Sequence, residues 1–150
     1  MSMAAEARPR RSIRRILLAT DLTATSAGAT DQAFELAQQL GASLLVVSVI
    51  DPVGVAGPGQ PALRMDQRRA EREAAAQGLV LRGRRDGIGV SFLVWAGEPG
   101  PAIVDAAASE EVDLIVVGSH GRSRMERIVL GSVSDHVSRN ASCAVLIVRS

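Results

Sequence analysis

The chain has 150 residues, 47% of them hydrophobic, and a net charge of +1. That is one domain by size, with enough apolar residues for a folded core and no charge excess pointing to nucleic acid. All 17 basic residues are arginine, which excludes a Walker-type phosphate loop, because its lysine contacts the β- and γ-phosphates.

The single cysteine, Cys143, excludes an internal disulfide and a cysteine-rich zinc site. Its place at the mouth of an apolar run suggests an inert, partly buried thiol. No apolar stretch approaches the ~18 residues needed to span a membrane, so a soluble, cytoplasmic protein is expected.

Met1–Arg15 carries Arg8, Arg10, Arg11, Arg14 and Arg15 against Glu6 alone. The apolar run after it, Ile16–Ala19, is shorter than the ~7–15 residues of a secretory signal. A flexible basic tail over residues 1–12 is expected, ahead of one domain over 13–150; a nucleic-acid or membrane arm is the alternative. Ile16–Thr20 reads as a buried strand with Asp21 at its carboxyl end. Ligands of open α/β sheets bind beyond those ends, where strand order reverses. Asp21 either accepts hydrogen bonds from a ribose or an adenine amine there, or caps the turn that follows.

Ser26–Leu40 reads as a helix, with Ala29, Ala33, Leu36, Ala37 and Leu40 on one face, Ser26 as N-cap and Gly41 as stop. Ser43–Ile50 is the next strand. Pro52–Pro61, rich in proline and glycine, is expected to be a mobile loop, either folding over a ligand or merely connecting. Arg64–Arg85 is a charged helix, with Glu71 and Glu73 among Arg68, Arg69 and Arg72. Such runs are usually solvated faces; Gly78 and Gly83 weaken its end. Val90–Ala96 is a strand. Phe34, Phe92 and Trp95 are the only aromatics, too few to build stacking platforms for single-stranded nucleic acid. A turn over Gly97–Pro101 leads into a helix, Ile103–Glu111, with Pro101 suited to its start.

Leu114–Val117 is a short apolar run of the kind buried on both faces of a sheet. Gly118-Ser119-His120-Gly121 follows, then nine residues, then Gly131-Ser132 at the start of a helical pattern ending near Asn140. A glycine turn lets backbone approach a ligand, and a helix start offers unpaired N–H groups and partial positive charge, which suits phosphate. The plainer alternative is three turn glycines and a serine N-cap. Arg122, Arg124 and Arg127 either neutralise that phosphate or are simply solvated. His120 can approach phosphate but has no visible partner as a base; His136 reads as a packing or surface residue. Ala144–Arg149 is the final strand.

The spacing of Gly118, Gly121, Gly131 and Ser132 resembles the G-x-x-G-x9-G-[ST] ATP-binding motif of the universal stress protein family. Ile16–Asp21, Val46–Asp51 and Cys143–Arg149 resemble that family's first, second and closing strands. Ala144 departs from the proline that many relatives carry there. The resemblance implies an α/β fold: a single open parallel five-stranded sheet, order 3-2-1-4-5, helices on both faces, like the adenine nucleotide alpha hydrolases. It also implies an ATP site, with Mg²⁺ bridging phosphate oxygens. The site residues carried over are Ala19, Asp21, Val49 (through its main chain), Gly118, Ser119, His120, Gly121, Arg122, Gly131, Ser132, Val133 and Ser134. A homodimer through Ala144–Arg149 and a regulatory role in stress response follow from the same likeness, with the signalling partner unknown. No dedicated catalytic set is visible. A weak ATPase or autophosphorylating enzyme, and an interaction module binding AMP or cyclic AMP, are the alternatives.

Overall fold

Strand and helix alternate along the chain, and the structure, a computed structural model, describes residues 12–119 and 131–149 of it. The strands are β1 (Arg15–Ala19), β2 (Ser43–Ile50), β3 (Val90–Ala96), β4 (Leu114–Gly118) and β5 (Ala144–Val148). They form one sheet, order β3-β2-β1-β4-β5, parallel throughout. The helices are α1 (Ala27–Leu40), α2 (Pro61–Asp86), α3 (Pro99–Ser109) and α4 (Ser132–Asn140). The expected tail lies outside the described residues except for Ser12, and so does the segment carrying His120, Gly121, Arg122, Arg124 and Arg127.

The central strands are continuous apolar runs because helices cover both of their faces. Successive side chains of a strand point to opposite faces. Ile16 and Leu18 accordingly pack with Ala33, Phe34 and Ala37 of α1 and with Leu79 of α2. Leu17 and Ala19 face the other way, onto Ile103, Ala106 and Ala107 of α3 and Val137 of α4. Ile16, Leu17 and Leu18 are all completely buried.

Several element ends differ from expectation. Ser26 does not cap α1: its hydroxyl donates to the Thr23 carbonyl at 2.7 Å and accepts from Thr20 Oγ1 at 2.8 Å, so it straps the loop instead. Helix α2 begins at Pro61, before the expected Arg64, and α3 at Pro99, before Ile103. Proline's fixed φ suits the first helical turn, where an N–H has no partner to lose. Gly41 and Gly87 end α1 and α2 at φ 65° and 72°, the left-handed conformation that glycine adopts without strain.

The Pro52–Pro61 segment connects β2 to α2 and contains local structure of its own. Pro52–Val55 forms a 3₁₀ turn capped by Asp51, whose Oδ1 accepts from the Val53 amide at 3.0 Å, and Val55 is buried. The Arg64 guanidinium donates to the carbonyls of Val55 (3.1 and 3.0 Å), Gly57 (3.2 Å) and Pro58 (3.1 Å), tying the segment to α2.

Candidate functional site

The sheet's strand order reverses between β1 and β4. These strands are parallel neighbours, with Ala19 opposite Val117, so one step further Thr20 follows the end of β1 beside Gly118, the last residue of β4. Asp21 and the Gly118–Ser119 turn therefore stand at the same carboxyl end of adjacent strands, the place where such sheets bind ligands.

On the β1 side, Asp21 is half-buried and its Oδ1 accepts from the Thr23 amide at 3.0 Å and the Thr23 hydroxyl at 2.6 Å. It thus performs the turn-capping role while facing the crevice end. Burial pushes its carboxyl up, but the bonds from Thr23 and Ser26 and the positive charge of Arg72 outweigh burial and hold it below its ordinary value. Leu22 follows at φ 62°, a left-handed conformation that costs a non-glycine residue about 1–2 kcal/mol. Its amide donates to Thr20 Oγ1 at 3.0 Å, which helps hold it there. The Ala19 side chain is core, packed on the α3–α4 face, so only its main chain is available to a ligand.

On the β4 side, the two halves of the glycine motif are joined. The Gly131 amide donates to the Ser119 carbonyl at 2.7 Å, and the Ser119 amide to the Val148 carbonyl at 2.8 Å. Ser134, buried, donates to the Gly131 carbonyl at 3.0 Å and to the Ser119 carbonyl at 3.4 Å. Gly131 occupies the N-cap and Ser132 is the first residue of α4, exposed. The first amides of α4, those of Ser132, Val133 and Ser134, precede the point where intrahelical partners exist. Ser119 Oγ is buried and has no hydrogen-bond partner among the described residues, a costly state for a hydroxyl. His120, Gly121 and Arg122 lie outside the described residues.

Val49 is the third element. The bond from the Thr20 amide to the Val47 carbonyl at 3.1 Å shows that odd-numbered main-chain groups of β2 face β1. Val49 is the next such residue, so its main chain faces the space past the end of β1.

Arg72 is the site neighbour that sequence reading missed. The charged run of α2 looked solvated, yet Arg72 is only 7% exposed. Its Nη1 donates to Ser48 Oγ at 2.8 Å and to the Val49 carbonyl at 3.1 Å. The available signal was Ser48, one polar residue in an apolar strand and completely buried, which needs a polar partner from a covering helix.

Other features point away from chemistry. His136 packs between helices, close enough to Gly100 that a Cβ there would meet its ring at 2.9 Å. Burial, with the Asp113 charge nearby, pushes the Cys143 thiol up, consistent with an inert role. Among the described residues no group of three His, Cys, Asp or Glu is placed to hold a metal ion, and no helix is long and apolar enough to cross a membrane. A cavity of about 310 Å³ opens at the opposite end of the sheet, beside Gly41, Asp86 and Gly87. It is bordered by the carboxyl ends of α1 and α2, whose dipoles have the wrong sign for an anion.

The universal stress protein family model matches residues 12–149. A universal stress protein of Thermus aquaticus is 38% identical over 143 residues, which span 89% of this chain and 97% of that one. A structure of a universal stress protein family member from Burkholderia pseudomallei superposes with a TM-score of 0.77 at 28% identity, covering 95% of this chain and 100% of that one. A universal stress protein solved in complex with cAMP matches with a TM-score of 0.69 at 26% identity, covering 92% and 98% of the two chains.

Proposed function

The chain belongs to the universal stress protein family, and from that premise we propose that it is an adenine-nucleotide-binding regulatory protein whose ligand is ATP. The base lies against the Val49 main chain, the ribose hydroxyls donate to Asp21, and the phosphates lie over Gly118, Ser119, Gly131 and the first amides of α4. Val133 contributes its N–H, and Ser132 and Ser134 stand beside it. Ala19 contributes main chain; Gly121 completes the set through its match to the family motif, with His120 and Arg122 at the variable positions on either side of it.

The observation that carries this reading is Ser119 Oγ, buried without a partner among the described residues, close to the first amides of α4. A phosphate oxygen satisfies both at once. With no lysine in the chain, backbone amides, hydroxyls and arginine supply the donors. Mg²⁺ bound with the nucleotide would offset part of its phosphate charge.

A thermal-shift titration with ATP and Mg²⁺ tests this. Ligand at ~100 times its dissociation constant stabilises the fold by about 2.7 kcal/mol, so a clear rise in Tm is expected. No shift at millimolar ATP, for a folded sample, contradicts it. The relative solved with cAMP favours cyclic AMP as the second reading. Competition among ATP, AMP and cyclic AMP separates the two, because only ATP places a polyphosphate on α4.

The chain also pairs with a second copy through β5, in this proposal. Both β3 and β5 are sheet edges, but on β3 the outward Val94 carbonyl is covered by Arg69 of α2, whose Nη1 donates to it at 3.1 Å. No described side chain bonds the outward groups of Val145 and Ile147, which leaves β5 as the edge free to add a strand.

A further inference from the structure

The cavity at the far end of the sheet is walled by the ends of two helices. Ala37, Gly41 and Ala42 come from the end of α1, and Asp86, Gly87 and Ile88 from the end of α2. The capping amides of Gly41 and Gly87 take the carbonyls of Ala37 and Gly83. The later carbonyls of both helices have no partner within the helix, and each dipole places partial negative charge there. Asp86 adds a full one. Arg82 Nε stands 3.9 Å from Asp86 Oδ2, beyond hydrogen-bond range, and Arg82 Nη1 is spent on Asp31 at 2.9 Å. Arg84 and Arg85 belong to the last turn of α2 but do not line the cavity.

The chain enters the fold beside this cavity. Ile13 packs on the apolar cluster that holds Ala37, Ala42 and Ile88, three of the cavity's own walls. Ser43, another wall residue, donates its amide to the Arg14 carbonyl at 2.9 Å. Arg8, Pro9, Arg10 and Arg11 come just before Ser12, the first described residue. At full extension the backbone of Arg11 is no more than about 7 Å, and that of Arg10 about 11 Å, from Ile13.

We propose that this cavity is a docking site for the chain's own arginine segment, residues 8–11, with one guanidinium seated between the ends of α1 and α2 against Asp86. A guanidinium presents five donors in one plane, which suits helix-end carbonyls together with a carboxylate. Tethered by a linker of one to four residues, it meets the cavity at an effective concentration on the order of millimolar. A contact too weak to capture a free cation is then occupied. The docked segment lies at the opposite end of the sheet from Asp21 and Ser119, so nucleotide binding does not depend on it.

The test uses the full chain without ligand. Nitrogen-15 NMR compares wild type with a triple variant, Arg8→Gln, Arg10→Gln and Arg11→Gln. The amides of Gly41, Ser43, Gly87 and Gly89 are expected to move, and those of Asp21 and Gly131 to stay. Added salt should carry the same wild-type amides toward their triple-variant positions, because exposed charge contacts are screened. From the cavity side, Asp86→Asn should let trypsin cut after Arg10 and Arg11 roughly two- to fivefold faster, the range expected for losing one exposed charge contact. Asp86 is exposed, so this variant should keep its fold.

Unmoved Gly41 and Gly87 amides in the triple variant overturn the proposal, and so does unaltered cleavage of a folded Asp86→Asn protein. Wild-type amide positions that change with protein concentration would place the segment on a second copy. Shifts that appear only with added free arginine would assign the cavity to a cation from outside the chain. Either result overturns docking within one chain.

Discussion

The Gly131 amide donates to the Ser119 carbonyl at 2.7 Å, so the two ends of the glycine motif touch although residues 120–130 lie between them. The contact sets the start of α4 beside the end of β4. Ser134 reinforces it from below, and Ser119 Oγ is left buried with nothing to bond among the described residues.

Two serines in one turn are therefore expected to behave oppositely. Ser134→Ala breaks a made hydrogen bond and should cost about 1 kcal/mol in urea unfolding. Ser119→Ala removes a buried hydroxyl that has no partner among the described residues, so it should leave the ligand-free protein as stable as wild type or more so, while weakening ATP binding. A Ser119→Ala protein that is clearly destabilised without ligand would show that the hydroxyl already has a structural partner.

Asp21 links the site to acid stability. Its carboxyl sits below its ordinary value in the folded protein, so the stability it contributes is present above the usual aspartate range, near pH 3.9, and lost as pH falls through the lower folded value. Asp21→Asn should be less stable than wild type at pH 7, and the gap should close as pH drops through that window. Parallel stability profiles for the two proteins would contradict the shift.

Two glycines of α2 separate helix propensity from packing. A Cβ on Gly83 would meet Val90 Cγ2 at 2.3 Å and the Ile88 carbonyl at 2.7 Å, whereas one on Gly78 would meet nothing within 4 Å. Gly83→Ala should destabilise by about 1–3 kcal/mol through overpacking. Gly78→Ala should stabilise by about 0.5–1 kcal/mol, the usual helical gain. Guanidinium or urea midpoints with unchanged m values are the check.

The edge strand gives a clean oligomer test. The Ser119 amide bonds the Val148 carbonyl, so even-numbered main-chain groups of β5 face β4 and those of Val145 face outward. Val145→Pro deletes an outward N–H without breaking the β4–β5 ladder. Sedimentation should show a weakened dimer with the monomer still folded; an unchanged dimer places the interface elsewhere.

Alternation of apolar runs with helical patterns made the parallel sheet and its two-sided core legible, because buried parallel strands such as Ile16–Ala19 have no polar face to disguise them; the strand order was legible only through the family resemblance. Cap chemistry was less legible. Ser26 has the right side chain in the right place for a cap, but nearby Thr20 and Thr23 compete for its hydroxyl, and the winner depends on the loop's fold. Composition marks Pro52–Pro61 as a connecting loop but does not reveal that Arg64, just beyond it, gathers its carbonyls. Arg72 was hidden in a charged run, and only the lone Ser48 opposite it marked the inward face. The meeting of Asp21 with the Gly118 turn was inferable only through strand order, since no local pattern connects them.

The most direct measurement is nitrogen-15 NMR of the full chain titrated with ATP and Mg²⁺. A nucleotide in this crevice should move the amides of Asp21, Val49, Gly118, Ser119, Gly131, Ser132 and Val133, and leave those of Gly41 and Gly87 at the far end of the sheet in place. Saturable shifts confined to the Gly41–Gly87 end, or none at millimolar ATP, would contradict the assignment of the site.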